Sequence, residues 1–363
     1  MKRVNISNLV PGMITAEDVY TYGNQLIIPK HTVLNDKAIT RLEFYSLVSI
    51  RVEDMPVSVP DSISAPENSS PEPSYSQWVQ STPEFQKFKK DYDESVSDFK
   101  NSINDIFEKG SDIDVDEVLQ NTMDLFQNDS NTFSFFHMMQ NMRQYDDMTY
   151  AHCINVSLIS NVLAHWLHMS KEDVEMATLC GLFHDIGKLA IPDNIIKKPD
   201  KLTDQEYAIV KKHTIEGYNI LKTQNIHDHI KNTALMHHER CDGSGYPFGI
   251  SADRIDKFAK IVSIADVYDA MTAARVYRGP LCPFSVIEIF EKEGLQKYET
   301  RYILCFLENV VLTYMNNRVR LSNGMEGDIV YINRQMLSKP MVKCNNRFID
   351  LAAEKSLSII EII

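Results

Sequence analysis

A mainly α-helical chain, with a small β-rich module at its amino end and a short β appendage at its carboxyl end, is the fold class that the 363-residue sequence predicts. Three observations predict it. From Glu84 to about Asn317, apolar residues recur at spacings of three and four, the period of a helix with one buried face. Before that stretch lie short β-prone runs divided by turn residues, and after it apolar and polar residues alternate as in half-buried strands. A hydrophobic content of 44% is ample for a core.

Taken in order, the amino-terminal module (1–54) should hold strands at Met13–Tyr20 and Gln25–Leu34 around a tight turn at Tyr22-Gly23-Asn24. A helix over Asp36–Leu47 and a returning strand in VSIRV follow. Residues 55–83 are rich in proline and serine with few apolar residues, so they cannot offset their ordering entropy and read as a flexible linker. In a helical connector (84–131), Phe85, Phe88, Tyr92, Val96, Phe99, Ile103 and Phe107 form one stripe ending near Gly110, and a second helix covers Val115–Phe126. The long helical domain (132–318) has one sharply marked start: Thr203-Asp204-Gln205-Glu206 is a capping box opening a helix through Lys222. The β appendage (319–363) turns at Asn323-Gly324.

Composition narrows the function. A net charge of -13 argues against wholesale binding to DNA, RNA or an anionic membrane, because the molecule's field repels polyphosphate. Any anionic ligand must find local positive charge. No run approaches the roughly 18–20 apolar residues of a membrane span, and Met1-Lys2-Arg3 leads into polar residues and not a signal-peptide core. A cytoplasmic location is expected. The six cysteines lack CxxC spacing and read as reduced thiols without assigned chemistry.

Metal-competent side chains stand where core residues belong. His152 shares a face with Val156, Ile159 and Leu163; His184 and Asp185 end an apolar helix in "ATLCGLFHDIGK"; His213 follows Ile209 by one turn; "ALMHHER" carries His237 and His238. Asp266 lies one turn from both Val262 and Ala270. One histidine on an apolar face is more often a hydrogen-bonded core residue. Five histidines and two carboxylates on helices that pack together are another matter, because a buried carboxylate is costly unless paired or bound to metal.

Adjacent helical residues point about 100° apart, so one ion cannot easily take both members of His184-Asp185 or of His237-His238. Two ions resolve this if Asp185 bridges them, with His184, His152 and Asp266 on one side and His213, His237 and His238 on the other. Imidazole and carboxylate without thiolate favour Fe, Mn, Zn or Ni. Two such ions about 3.5–4 Å apart suit the hydrolysis of phosphate esters by a bridging water of lowered pKa. Lys188, one turn after His184, could then reach a phosphoryl oxygen or protonate the leaving oxygen.

Three blocks, "FHDIGKLAIPDNIIKKPDKLT", "HHERCDGSGYP" and "IVSIADVYDAMTAARVYR", closely resemble the signatures of the HD-GYP phosphodiesterases, a branch of the HD superfamily of helical metal-dependent phosphohydrolases. The resemblance covers about Thr132 to Asn317. It implies an HD-superfamily helical bundle that hydrolyses cyclic di-GMP to linear pGpG, or on to GMP, through a metal-bridging hydroxide at a centre of two divalent metal ions, Fe or Mn. By position it implies the ligands His152, His184, Asp185, His213, His237, His238 and Asp266, with Lys188 as the catalytic lysine beside Asp185. Gly245, Tyr246 and Pro247 would line the substrate pocket, where glycines permit positive φ and close backbone approach to a ligand. Arg275 and Arg278 would grip the phosphates.

Some members add a third metal through a Glu one turn before the first histidine. That position is Met148, and Asp146 and Asp147 lie at the wrong helical phase, so a binuclear centre is expected. The segments "LVPGMITAEDVY" and "LIIPKHTVL" are similar to a small domain that often precedes HD-GYP domains, which leaves room for a homodimer or signalling partners through this module. Two other readings stand beside the leading one: a cyclic dinucleotide-binding or scaffold protein without turnover, which would predict missing ligands, and hydrolysis of another cyclic dinucleotide such as 3′,3′-cyclic GMP-AMP.

Overall fold

The computed structural model of the chain describes residues 2–5, 9–10, 12–20, 26–28, 30–34, 38, 42, 49–53, 79–109, 112–126, 136, 138–139, 142, 148–196, 198, 200–273, 280–345 and 347–363. These fall into two units, Met1–Pro71 and Glu72–Ile363, each with its own hydrophobic cluster.

In the first unit, β1 (Lys2–Asn5) pairs antiparallel with β4 (Ser49–Val52), the strand expected in VSIRV. Strands β2 (Val19–Tyr20) and β3 (Leu26–Ile28) form a second antiparallel pair. Both are shorter than the periods suggested. Positive φ at Gly12 (94°) and His31 (63°) bends the chain out of the extended region, and the Thr15 hydroxyl takes the Thr32 amide (2.9 Å), so only isolated bridges such as Ile14 to Val33 remain there. Val4, Leu9, Val19, Ile28, Leu34, Leu42, Ile50 and Val52 fill the core. The expected turn at 22–24, most of the expected helix over 36–47 and residues 55–78 lie outside the described residues.

The second unit is mainly α. Helix α1 (Pro83–Lys109) buries Phe85, Phe88, Tyr92, Val96, Phe99 and Ile103, six of the seven stripe residues; the side chain of Phe107 lies outside the described residues. The end of the segment read as linker differs from expectation. Residues 79–81 are helical and Val79 is buried, because Thr82 both bonds the Val79 carbonyl and accepts the Phe85 amide. Helix α2 (Val115–Met123), capped by Asp114, runs into a 3₁₀ turn, and α3 (Met148–Trp166) meets α4 (Lys171–Phe183). The last two pack so closely that a Cβ at Gly181 would lie 2.5 Å from the Ser157 Cα.

The expected helix from the capping box through Lys222 is two helices, α5 (Asp204–Val210) and α6 (His213–Leu221). The capping box is present, with Thr203 and Glu206 exchanging bonds. Lys211 and Lys212 form the break, where the His213 ring bonds the Val210 carbonyl at 2.7 Å and draws that side chain back over the previous turn. Helices α7 (Asp228–Met236), α8 (Lys257–Thr272), α9 (Pro283–Ile289) and α10 (Thr300–Leu312) complete the bundle.

Five antiparallel strands follow: β5 (Arg318–Leu321), β6 (Glu326–Tyr331), β7 (Met341–Cys344), β8 (Arg347–Asp350) and β9 (Ile359–Ile362), in the order β8-β7-β6-β5-β9. The expected turn at Asn323-Gly324 joins β5 to β6, with Gly324 at φ 84°. Alternation buries Val319, Leu321, Ile329 and Val342 in the same cluster that holds the helices. No helix among the described residues is long and apolar enough to cross a membrane.

Candidate metal centre

Breaks in helices deliver most of the side chains that the sequence singled out. His184 is the C-cap of α4 and Asp185 stands in the following turn (φ -104°, ψ 9°). His237 is the C-cap of α7, His238 comes next, and His213 opens α6. His152 and Asp266 lie inside α3 and α8. The expectation that neighbours diverge by a helical step therefore does not apply: both pairs sit where the chain leaves the helix, and the His237 and His238 rings are 4.1 Å apart.

Donor atoms of Asp185, His213, His237 and His238 all lie within 4.8 Å of one another, and those of His152, His184 and Asp185 form a second such group. Asp185 belongs to both. Asp266 reaches across them, with one oxygen 3.2 Å from His152 Nε2 and the other 3.6 Å from His238 Nδ1. Gly187 makes this convergence possible, since a Cβ there would lie 1.9 Å from the His213 carbonyl oxygen and 2.4 Å from the Gly217 nitrogen.

Hydrogen bonds orient the rings. The Nδ1 atoms of His184, His213 and His237 lie against the carbonyls of Gly181 (2.7 Å), Val210 (2.7 Å) and Thr233 (3.1 Å). A carbonyl only accepts, so each Nδ1 carries the proton and each Nε2 presents a lone pair to the cluster. His152 is held in the same sense by Asp269, whose carboxylate lies 2.8 Å from Nδ1.

Charge and burial then favour a cation. The buried His184 Nε2 and Asp185 Oδ1 have no hydrogen-bond partner, and His213 Nε2 lies 3.3 Å from His237 Nε2. Such atoms are normally satisfied, and here divalent ions held by the two donor groups would satisfy them. Burial, then Lys188 and His184, lowers the pKa of His213; burial and the neighbouring histidines lower that of His237 further; and burial pushes His238 down to about 3. All three are neutral imidazoles, the ligand form. Burial opposes charge on His152, yet its bonds to Asp185, Asp266 and Asp269 raise it well above the usual value. Burial likewise acts against the carboxylates, but Lys188 and His184 hold Asp185, and His152 and His238 hold Asp266, well below the usual range. The His and Asp cluster fits divalent metal binding.

The Lys188 ammonium is seated on Asp185 Oδ2. Tyr246 packs its ring 4.7 Å from that of His238, and Pro247 is half-buried beside it. Positive φ is used at Gly243 (79°) and Gly249 (63°). At Gly245 a Cβ would lie 2.4 Å from the Arg240 nitrogen and 2.5 Å from the His238 carbonyl, so close approach of the chain to itself requires glycine there. Arg275, Arg278, Asp146 and Asp147 lie outside the described residues, as does the Met148 side chain.

Two residues escaped the sequence reading. Asp269, one turn after Asp266, is 1% exposed, and its signal is the same one, an acid on an apolar helix face. Glu239, 2% exposed, accepts the amides of Phe248 (2.7 Å) and Ile250 (3.2 Å) and so holds the loop that carries Tyr246. Nothing in its local sequence signals this, because its partners come from a returning turn.

Residues 130–301 match the HD domain family, which defines the class of the second unit. Over 204 residues the chain is 34% identical to a cyclic di-GMP phosphodiesterase of Pseudomonas aeruginosa, covering 56% of this chain and 49% of that protein. It is 38% identical over 168 residues to a cyclic di-GMP phosphodiesterase of Thermotoga maritima (45% and 46% covered). With a 3′3′-cGAMP-specific phosphodiesterase of Vibrio cholerae it shares 36% over 163 residues (44% and 31% covered). The chain spans about half or less of the length of these curated relatives. An HDG"Y"P protein from Bdellovibrio bacteriovorus has the same fold, with a TM-score of 0.50, 18% identity and 85% of this chain and 99% of that chain covered. Residues 130–301 thus form an HD domain, and the curated proteins they resemble are phosphodiesterases of cyclic dinucleotides.

Proposed function

We propose that the chain is a phosphodiesterase that cleaves cyclic di-GMP to linear pGpG with two iron or manganese ions. His152, His184, Asp185 and Asp266 would hold one ion, and Asp185, His213, His237 and His238 the other. The observation that carries this reading is the pair of donor groups sharing Asp185. When bound, the ions supply Lewis-acid activation of water and of the phosphoryl group. The chain does the rest. Four Nδ1 protons are spent on fixed acceptors, so the donor lone pairs are aimed before substrate arrives. Lys188, seated on Asp185, is the group at hand to hold a phosphoryl oxygen or to give the leaving oxygen its proton. Tyr246, packed beside His238, offers its ring to a base or its hydroxyl to a phosphate. A cytoplasmic site of action is supported by six free cysteines.

A second reading, preference for 3′,3′-cyclic GMP-AMP, is favoured by the comparable identity to relatives named for either substrate. A scaffold without turnover is disfavoured by the complete donor set. The experiment is product chromatography on protein loaded anaerobically with Fe or Mn, its metal content verified, offered each cyclic dinucleotide in turn. Cleavage of cyclic di-GMP supports the first reading, faster cleavage of cyclic GMP-AMP moves the assignment to the second, and no cleavage of either sinks both. Asp185→Asn should lose metal and activity together, by more than the roughly hundredfold typical of removing a partner one bond further out.

A further inference from the structure

We propose that Lys211 binds the second phosphodiester of a cyclic dinucleotide, the one that is not cut, from a niche between Tyr207 and Tyr246. This rests on the reading of the site as a cyclic dinucleotide phosphodiesterase. Lys211 is the C-cap of α5, at the break just before His213. Its Nζ lies 5.1 Å from the Tyr207 ring centroid and 5.7 Å from that of Tyr246, and Tyr246 packs on His238. The ammonium is therefore one aromatic ring away from the donor cluster, with its head held over two ring faces.

Among the described residues, two other cations beside the cluster are already engaged. Lys188 is seated on Asp185, and Arg240 gives Nη1 to the carbonyls of His237 (3.1 Å) and Glu239 (2.9 Å). Among the described residues no carboxylate pairs with Lys211. A half-buried cation without a counter-ion, in a chain of net charge -13, is suited to an anion brought from outside. A cyclic dinucleotide carries two phosphodiesters in one ring. When one occupies the donor cluster, the other must lie to its side, and on the Tyr246 side it meets Lys211.

Lys211→Met keeps the length and the ring contacts but removes the charge. On metal-loaded protein it should raise KM for the cyclic dinucleotide about 10- to 100-fold, the usual scale for a hydrogen bond to a charged group, while kcat changes far less and metal content and melting temperature hold. The loss on the cyclic dinucleotide should exceed by at least about tenfold the loss on bis(p-nitrophenyl) phosphate, which has a single phosphodiester. Lys211→Arg should recover much of the KM. Equal losses on both substrates, or a fall in metal content, would make Lys211 part of the metal site and overturn the proposal. An unchanged KM would make it a solvated surface lysine. A wild-type chain that neither binds nor cleaves any cyclic dinucleotide would instead remove the functional reading beneath it.

Discussion

His213 and His237 come from different helices and face each other Nε2 to Nε2 at 3.3 Å, each with its Nδ1 proton committed to a backbone carbonyl. Two lone pairs oppose one another until a cation lies between them. Removing divalent metal should therefore destabilise the second unit. A ligand held at 100 times its Kd contributes about 2.7 kcal/mol, so chelation should lower the melting temperature by about 5–10 °C and metal should restore it. Calorimetry checks this, and an identical melt with and without chelator would mean that the cluster holds itself together without ions.

Asp269 orients His152, with its carboxylate 2.8 Å from Nδ1. Asp269→Asn keeps the volume and removes the charge that fixes the Nδ1 proton. Metal affinity or turnover should fall about 10- to 100-fold while the circular dichroism spectrum holds. Competition with a chromophoric chelator measures the affinity. An unaltered value would show that Asp185 and Asp266 suffice to orient the ring.

The metal-free site should make stability depend on pH in both directions. His152 has a raised pKa, so its charged, paired form stabilises the fold fully below about 6.5 and that contribution fades as pH climbs through the raised value. His213, His237 and His238 have lowered values and take up protons on unfolding, so stability falls as pH drops below about 6.5. The depressed Asp185 and Asp266 add a further loss in stronger acid. With chelator present, stability should peak near pH ~6.5, and His152→Asn should lose the alkaline fall while keeping the acid one. A melting series from pH ~5 to ~8.5 reads the shape; a flat profile would contradict it.

Glu239 satisfies two amides of the loop that carries Tyr246. Glu239→Gln leaves one carbonyl oxygen for two donors, and an unsatisfied buried amide costs about 1–3 kcal/mol. Denaturant unfolding should show that loss, and KM should rise more than kcat falls as the Tyr246 ring loosens. Retained stability would mean that the loop finds water in place of the carboxylate.

The helical period of α1, the capping box at Thr203, the Asn323-Gly324 turn and the acids and imidazoles on apolar faces were all legible in the sequence, because each is a local pattern of residue type and spacing. The chemistry of the centre could be argued from those residues alone. What only the tertiary structure decided is how adjacent residues converge. The breaks after Phe183, Val210 and Met236 coincide with ring-to-carbonyl bonds, and contacts that only Gly187 and Gly245 permit bring the broken ends together. The partners in those contacts lie far apart along the chain or on a returning loop, so their effect on backbone geometry exists only once the helices have packed.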